Sequence, residues 1–298
     1  MKISVLTPTY NRAYTLTNLY NSLLINKQYA DLEWLIMDDG STDNTEALVN
    51  QWIKENKIKI KYLKQANQGK MVALNNLLEH ISGEITIECD SDDYFTNDCF
   101  KHVIERWSLI ESDDQIYGLA FLKLDQNQKL IGSTYPHDHE IARVFDMYFK
   151  EKITGDKLFI FKSKIRKQFK HKLEYNETFA TEGRMYHEMD LKYNGLLCLN
   201  INGMICEYQN DGYSKNIYSI YRQAPFTHYF YYLEMFKFDM HHLNFKMRLH
   251  IIKNYIFFSY LIKEKKIDVI KSVNDPFNRF LLAILVIPGY IKAKIKLK

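Results

Sequence analysis

Glycine and proline are scarce in this 298-residue chain, at 11 and 5, and the shortage excludes a collagen-like or proline-rich disordered polymer. Cysteine is scarce as well. The four present, Cys89, Cys99, Cys198 and Cys206, fall at spacings that fit neither a zinc ribbon nor a disulfide scaffold, so they read as reduced core thiols. No apolar run approaches the roughly 20 residues of a membrane-spanning helix. The apolar stretch at the N-terminus is too short for a signal-peptide core and is interrupted by Pro8, so export is not expected and the compartment reads as cytosolic. No G-x-G-x-x-G or Walker A string occurs, which weighs against a dinucleotide dehydrogenase or a P-loop enzyme.

A strong net charge is also missing: 40 Lys and Arg face 36 Asp and Glu, for +4. The distribution is uneven. Residues 241–298 hold 12 basic and 3 acidic side chains, a local +9, which leaves −5 for the rest. The basic residues sit beside an apolar segment instead of along a groove of aromatics and arginines, so no nucleic acid partner is expected.

What is present is an alternation of element types. Residues 3–6 read as a strand ending at Thr7-Pro8, because proline cannot donate to a ladder. Leu16, Leu19, Tyr20, Leu23 and Leu24 recur at helical spacing within 13–26, and residues 34–37 form an unbroken apolar strand. A helix at 45–56, a strand at 58–63, a helix at 70–81 and a strand at 84–89 follow, with shorter strands at 117–124 and 157–162. Residues 227–264 are helical in period and rich in aromatics. Strand–helix alternation with short loops predicts an α/β sheet, in which ligands bind beyond the carboxyl ends of the strands. Three polar loops follow strands, at 7–12, 38–43 and 90–93, and should gather on one rim.

Asp90-Ser91-Asp92-Asp93 places carboxylates at a strand end, where hard oxygen donors suit Mg²⁺ or Mn²⁺. A D-x-D string alone is common in ordinary acidic turns, and Asp38-Asp39-Gly40-Ser41 also fits a turn with an aspartate capping the next helix. Asn67-Gln68-Gly69-Lys70 opens a helix whose N–H groups and lysine could face an anion.

Taken in order, Val5-Leu6-Thr7-Pro8-Thr9-Tyr10-Asn11, Asp38-Asp39-Gly40-Ser41-Thr42-Asp43, Asn67-Gln68-Gly69-Lys70 and Asp90-Ser91-Asp92-Asp93 resemble the family 2 glycosyltransferases of GT-A fold. The resemblance implies an α/β fold with a mostly parallel central sheet flanked by helices. It divides the chain into a catalytic domain over 1–220, with a nucleotide-sugar half at 1–105 and an acceptor half at 106–220, and a helical, basic extension at 221–298. It also implies an inverting, metal-dependent transfer from a nucleotide-diphosphate sugar, usually UDP-linked, to a glycan or lipid-linked acceptor of a bacterial surface polysaccharide. Thr7, Pro8, Tyr10 and Arg12 would lie around the nucleotide, with Gly69, Lys70 and Ser91 also at the donor. Asp39 would accept a hydrogen bond from the base, Asp90 would lie near the ribose or sugar, and Asp92 would bind the metal. Glu182 falls where relatives place the general base, although Gly183 follows it where many members have an aspartate. Asp93, Asp156, Glu177, Asp190, Asp211 and Ser214 are further candidates by the same resemblance.

Residues 280–287 are nearly all apolar but are followed by Pro288-Gly289, and the tail alternates lysine with apolar residues. That combination suits peripheral contact with an anionic membrane, at the inner face of the cell membrane; a core helix with a solvated tail is the alternative. A sugar-phosphate nucleotidyltransferase would be expected to carry a glycine-rich basic loop near the N-terminus, and residues 7–12 contain no glycine. A non-catalytic scaffold on the same fold would be expected to lack the carboxylates, which are present.

Overall fold

The computed structural model describes residues 1–207 and 221–296. They form two compact units. The first comprises Met1–Lys170 with residues 192–207, and the second comprises His171–Leu191 with residues 221–296. The segment carrying Glu182 thus groups with the C-terminal helices, whereas the sequence alone divides the chain at residue 220. Asp211 and Ser214 lie outside the described residues.

The first unit is built on β1 (Lys2–Thr9), α1 (Ala13–Asn26), β2 (Asp31–Asp38), α2 (Thr45–Glu55), β3 (Lys59–Lys64), α3 (Lys70–Leu77), β4 (Ile85–Glu88), β5 (Asp93–Phe95) and α4 (Cys99–Trp107). It is completed by β6 (Ile116–Asp125), β7 (Glu140–Ala142), β8 (Lys157–Lys162), α5 (Ser163–Arg166) and β9 (Gly195–Cys206). The sheet order is β3-β2-β1-β4-β8-β6-β9-β5, with β7 also on β9. Strands β1 to β4 pair in parallel, as their alternation with helices requires. The second half departs from the expected mostly parallel sheet: β8 runs antiparallel to β4 and β6, and β5 and β7 run antiparallel to β9.

β1 does not stop at Thr7-Pro8; Pro8 pairs with Met37 and Thr9 with Asp38. Cys89 N donates to Leu6 O on the β4 side, so strand alternation turns the position of the missing Pro8 N–H to that same side. β4 ends at Glu88, opposite Leu6, and no ladder bond is lost there. The buried stripe of α1, Leu16, Leu19, Tyr20 and Leu23, packs on the sheet as its spacing predicts. Tyr20 stacks on Trp52 of α2 with ring centroids 4.3 Å apart.

A polar clamp closes the opposite end of the parallel strands. Buried Glu33 accepts from Ser4 Oγ at 2.5 Å, Ser82 N at 2.7 Å and Ser82 Oγ at 2.6 Å, and pairs with Lys2 Nζ at 2.9 Å. Burial disfavours its charge, but the bonds from Ser4, Ser82 and Lys2 outweigh burial and hold the carboxyl down at about 2, from an ordinary 4.5. A folded-state value below the unfolded one adds stability above the unfolded value that is lost as pH falls through the folded one. Glu33→Gln is therefore expected to cost about 3 kcal/mol at pH 7 and much less at pH 2, measured by urea unfolding across that window.

The second unit contains α6 (Glu182–Asp190), α7 (Pro225–Met235), α8 (Phe245–Leu261), α9 (Lys266–Lys271) and α10 (Pro276–Lys296). The aromatic stretch is core: Tyr229, Tyr255 and Phe258 pack with Ile252, Ile256, Leu282 and Val286. Its helical period is broken between α7 and α8, where Asp239 accepts from His241 N and Asn244 caps α8 by accepting from Met247 N at 3.0 Å. Pro288 does not end α10, which runs through it. Ile284 and Pro288 are both exposed, so the carbonyl left without its helical donor lies on the outward face. No described helix is long and apolar enough to cross a membrane.

Candidate active site

Three loops meet at the carboxyl ends of β1, β2 and β4. Asn11, at φ 52°, accepts from Thr42 N through its side chain at 2.8 Å, while its own N–H donates to Ser41 Oγ at 2.9 Å. Asp43 serves two helix starts, accepting from Ala13 N at 3.1 Å and Thr45 N at 3.0 Å. Thr15 Oγ1 of α1 donates to Ser91 O at 2.8 Å. The rim expected from topology is thus a cross-linked surface.

Asp38 and Asp39 divide the work. Asp38 accepts from Ser41 N at 2.6 Å and from the Tyr62 hydroxyl, so it holds the turn. Asp39 accepts from Gln65 Nε2 and Gln68 N, both at 2.8 Å, and from Gly69 N at 2.7 Å. The anion facing the start of α3 is therefore Asp39 itself. Lys70 reaches across to Asp90 at 2.7 Å. Thr7 and Pro8 are buried, and the Thr7 hydroxyl accepts from the Trp34 indole at 2.9 Å, so these two shape the floor; Tyr10 is exposed and Arg12 half-buried on the rim.

The acidic string after β4 carries three carboxylates in three settings. Asp90 pairs with Lys70. Asp93, buried, lies 3.4 Å from Lys123 Nζ and 3.2 Å from Cys206 Sγ. Asp92 has no ion-pair partner among the described residues, and burial with the Asp90 and Asp93 charges pushes its carboxyl up to about 6, with Arg12 pulling it back. Lys123 escaped the sequence reading, although a lysine inside the apolar run of β6 is a visible signal. Burial works against its charge, but Asp93, Asp156 and Asp90 hold its ammonium well above its ordinary value. Asp156 is exposed, just before β8.

Glu182 opens α6 in the second unit, where an acidic residue complements the partial positive charge of a helix N-terminus. Tyr186 OH donates to its Oε2 at 3.3 Å. The helix beneath it is firmly held. Arg184 forks onto Glu234 of α7 at 3.0 and 3.1 Å, bonds Glu174 at 2.5 Å and lies 5.1 Å over the Phe230 ring. His187 stacks on Tyr231 at 5.1 Å, and burial pushes it down to about 3, so it is neutral at physiological pH. Gly183 is explained by the same packing, since a Cβ there would sit 2.9 Å from Tyr231 Cε2. Glu177 accepts from Phe226 N at 2.7 Å and Thr227 N at 2.8 Å, capping α7. Asp190 is buried at the end of α6.

Among the described residues no three His, Cys, Asp or Glu side chains come together as a metal cluster. The acidic string nonetheless fits a hard divalent ion of the kind completed by water and phosphate oxygens, because Asp92 is a half-buried carboxylate that forms no ion pair among the described residues.

The fold has solved counterparts. A solved Staphylococcus aureus TarS 1-349 in complex with UDP-GlcNAc superposes with TM-score 0.61 at 19% identity, covering 98% of this chain and 90% of that one. The mannosyltransferase PcManGT from Pyrobaculum calidifontis, with GDP-Man and Mn²⁺, gives TM-score 0.56 at 15% identity over 99% and 86%. The fold is therefore of the GT-A type. By sequence, an uncharacterized glycosyltransferase of Nostoc sp. is 34% identical over 44% of this chain and 40% of its own length. A GalNAc(5)-diNAcBac-PP-undecaprenol beta-1,3-glucosyltransferase of Campylobacter jejuni is 28% identical over 59% and 57%. The chain thus spans between two fifths and three fifths of these relatives. Residues 4–168, more than half of the chain, match Glycosyl transferase family 2, and the chain belongs to that family of transferases.

Proposed function

We propose that the chain transfers a sugar from a nucleotide-diphosphate donor, a UDP-sugar, to a glycan or lipid-linked acceptor in bacterial surface-polysaccharide synthesis, with inversion and with Mn²⁺ or Mg²⁺ at Asp92. The observation that carries the reading is the asymmetry of the acidic string: Asp90 and Asp93 already have lysine partners, while Asp92 has no ion pair among the described residues and only the more distant charge of Arg12 favours its ionised form. Bound there with Asp92 as protein ligand, the divalent ion would neutralise the departing diphosphate. The UDP-GlcNAc and GDP-Man complexes of the structural neighbours support a nucleotide sugar, and the undecaprenol-linked substrate in the Campylobacter relative's name supports a lipid-linked acceptor.

The protein's own residues supply the rest. Asp39 accepts three hydrogen bonds out of about four a carboxylate can take, which leaves one position for an imide N–H such as that of uracil. Glu182 takes the proton of the acceptor hydroxyl as its oxygen attacks the anomeric carbon. The bond from that carbon to the diphosphate breaks, and its electron pair leaves with the diphosphate. Glu182 is favoured over Glu177, whose carboxylate is engaged at the start of α7, and over buried Asp190. Residues 280–298 would bring the enzyme into peripheral contact with an anionic membrane at the inner face of the cell.

A donor screen by thermal unfolding tests the reading. At a hundredfold excess over Kd, ligand linkage is worth about 2.7 kcal/mol, or a Tm rise of about 4 °C for a chain of this size. One UDP-sugar should give that rise with Mn²⁺ and most of it should vanish with EDTA. No shift with any nucleotide-diphosphate sugar would sink the proposal.

A further inference from the structure

The outward face of α10 is apolar along its length. Phe280 is 60% exposed, Ile284 54%, Ile287 57%, Ile291 57% and Ile295 69%. At about 100° per residue these five fall within roughly 80° of arc, a stripe about 22 Å long. The opposite face is fixed: Leu282 and Val286 lie in the core of the second unit, Ala293 is buried, and a Cβ on Gly289 would stand 2.5 Å from Ile256 Cγ2. Helix α10 is therefore clamped along one side, with large side chains presented to solvent on the other.

Charge selects what covers them. Residues 276–296 contain no aspartate or glutamate, and Lys292 and Lys294, both exposed, emerge on opposite sides of the stripe. We propose that α10 lies flat in the interface of an anionic bilayer, with Phe280, Ile284, Ile287, Ile291 and Ile295 among the acyl chains and Lys292 and Lys294 at the headgroup phosphates. This rests on the membrane contact proposed above and narrows it to one face in one orientation. A second copy of the chain is the poorer occupant, since two such stripes would bring lysines together with no acidic residue of α10 to answer them. Spanning is excluded by the clamped face, whose buried residues serve the protein core.

The full chain is mixed with vesicles of 30% phosphatidylglycerol in phosphatidylcholine, and sedimentation is measured for the parent, for Ile284→Glu/Ile287→Glu/Ile291→Glu and for Lys292→Glu/Lys294→Glu. The altered positions are exposed, so far-UV circular dichroism and the donor-induced thermal shift should match the parent in both variants. The parent should bind these vesicles at least tenfold better than pure phosphatidylcholine, and each variant should lose at least tenfold. Parental binding in the isoleucine variant overturns the stripe while leaving a membrane contact elsewhere. No vesicle binding by the parent overturns both, whereas the donor shift reports separately on sugar transfer. A dimer seen by light scattering that disappears in the isoleucine variant would assign the face to a second copy and overturn the proposal.

Discussion

A Glu182→Gln enzyme is expected to lose about 10²–10⁴-fold in kcat while its affinity for the donor stays within a factor of two or three of the parent. The amide keeps the shape and the bond from Tyr186 OH but cannot take a proton. The helix under it stays in place, because Arg184, Met185, His187 and Met189 do the packing and none of them is touched. Glu177→Gln gives the contrast. It weakens the cap on α7 at Phe226 and Thr227, so it should cost about 1 kcal/mol of stability with kcat little changed. Steady-state kinetics together with calorimetric donor binding separate the two. Turnover by Glu182→Gln within tenfold of the parent would move the base to another residue.

Arg166→Met is expected to destabilise the protein by about 3–5 kcal/mol, lowering Tm by about 5–8 °C. Arg166 is fully buried and reaches Glu88 through Nε at 2.6 Å and Nη2 at 2.5 Å, while Nη1 donates to Phe169 O. Removing the guanidinium leaves the mostly buried Glu88 carboxylate without this cation. The double variant Arg166→Met/Glu88→Leu should recover much of the loss, because the cost lies in the orphaned carboxylate more than in the pair. Glu88 is two residues before Asp90, so the single variant should also weaken the metal-dependent thermal shift. Equal losses in the single and double variants would contradict this account.

The first hundred residues were legible because local chemistry and global fold agree there. The buried stripe of α1 and the apolar run of β2 can satisfy only one arrangement, and α1 is Ala13–Asn26 as its period predicts. Pro8 misled because its effect depends on where the neighbouring strand ends, which no local pattern records. Helix α6 was harder still. Its place is set by Arg184 meeting Glu234, fifty residues later, and by Gly183 meeting Tyr231. β9 was obscured by Asn200 and Asn202, which interrupt an otherwise apolar run of twelve residues. Of the candidate site, the aspartates were legible and their partners were not. The pairing of Lys123 with Asp93 joins β6 to β5, and the bonds that Asp39 accepts from Gln68 N and Gly69 N join two loops some thirty residues apart.

The four cysteines, all buried, have a practical chemical consequence. Burial pushes the Cys89, Cys99 and Cys206 thiols well up and Cys198 to about 12. At neutral pH almost none of them is thiolate, the form that alkylating and oxidising reagents attack. The folded chain is thus a silent background for thiol chemistry, on which one cysteine introduced at an exposed position would be the only fast-reacting handle, for a fluorophore or a spin label, without removing any native residue.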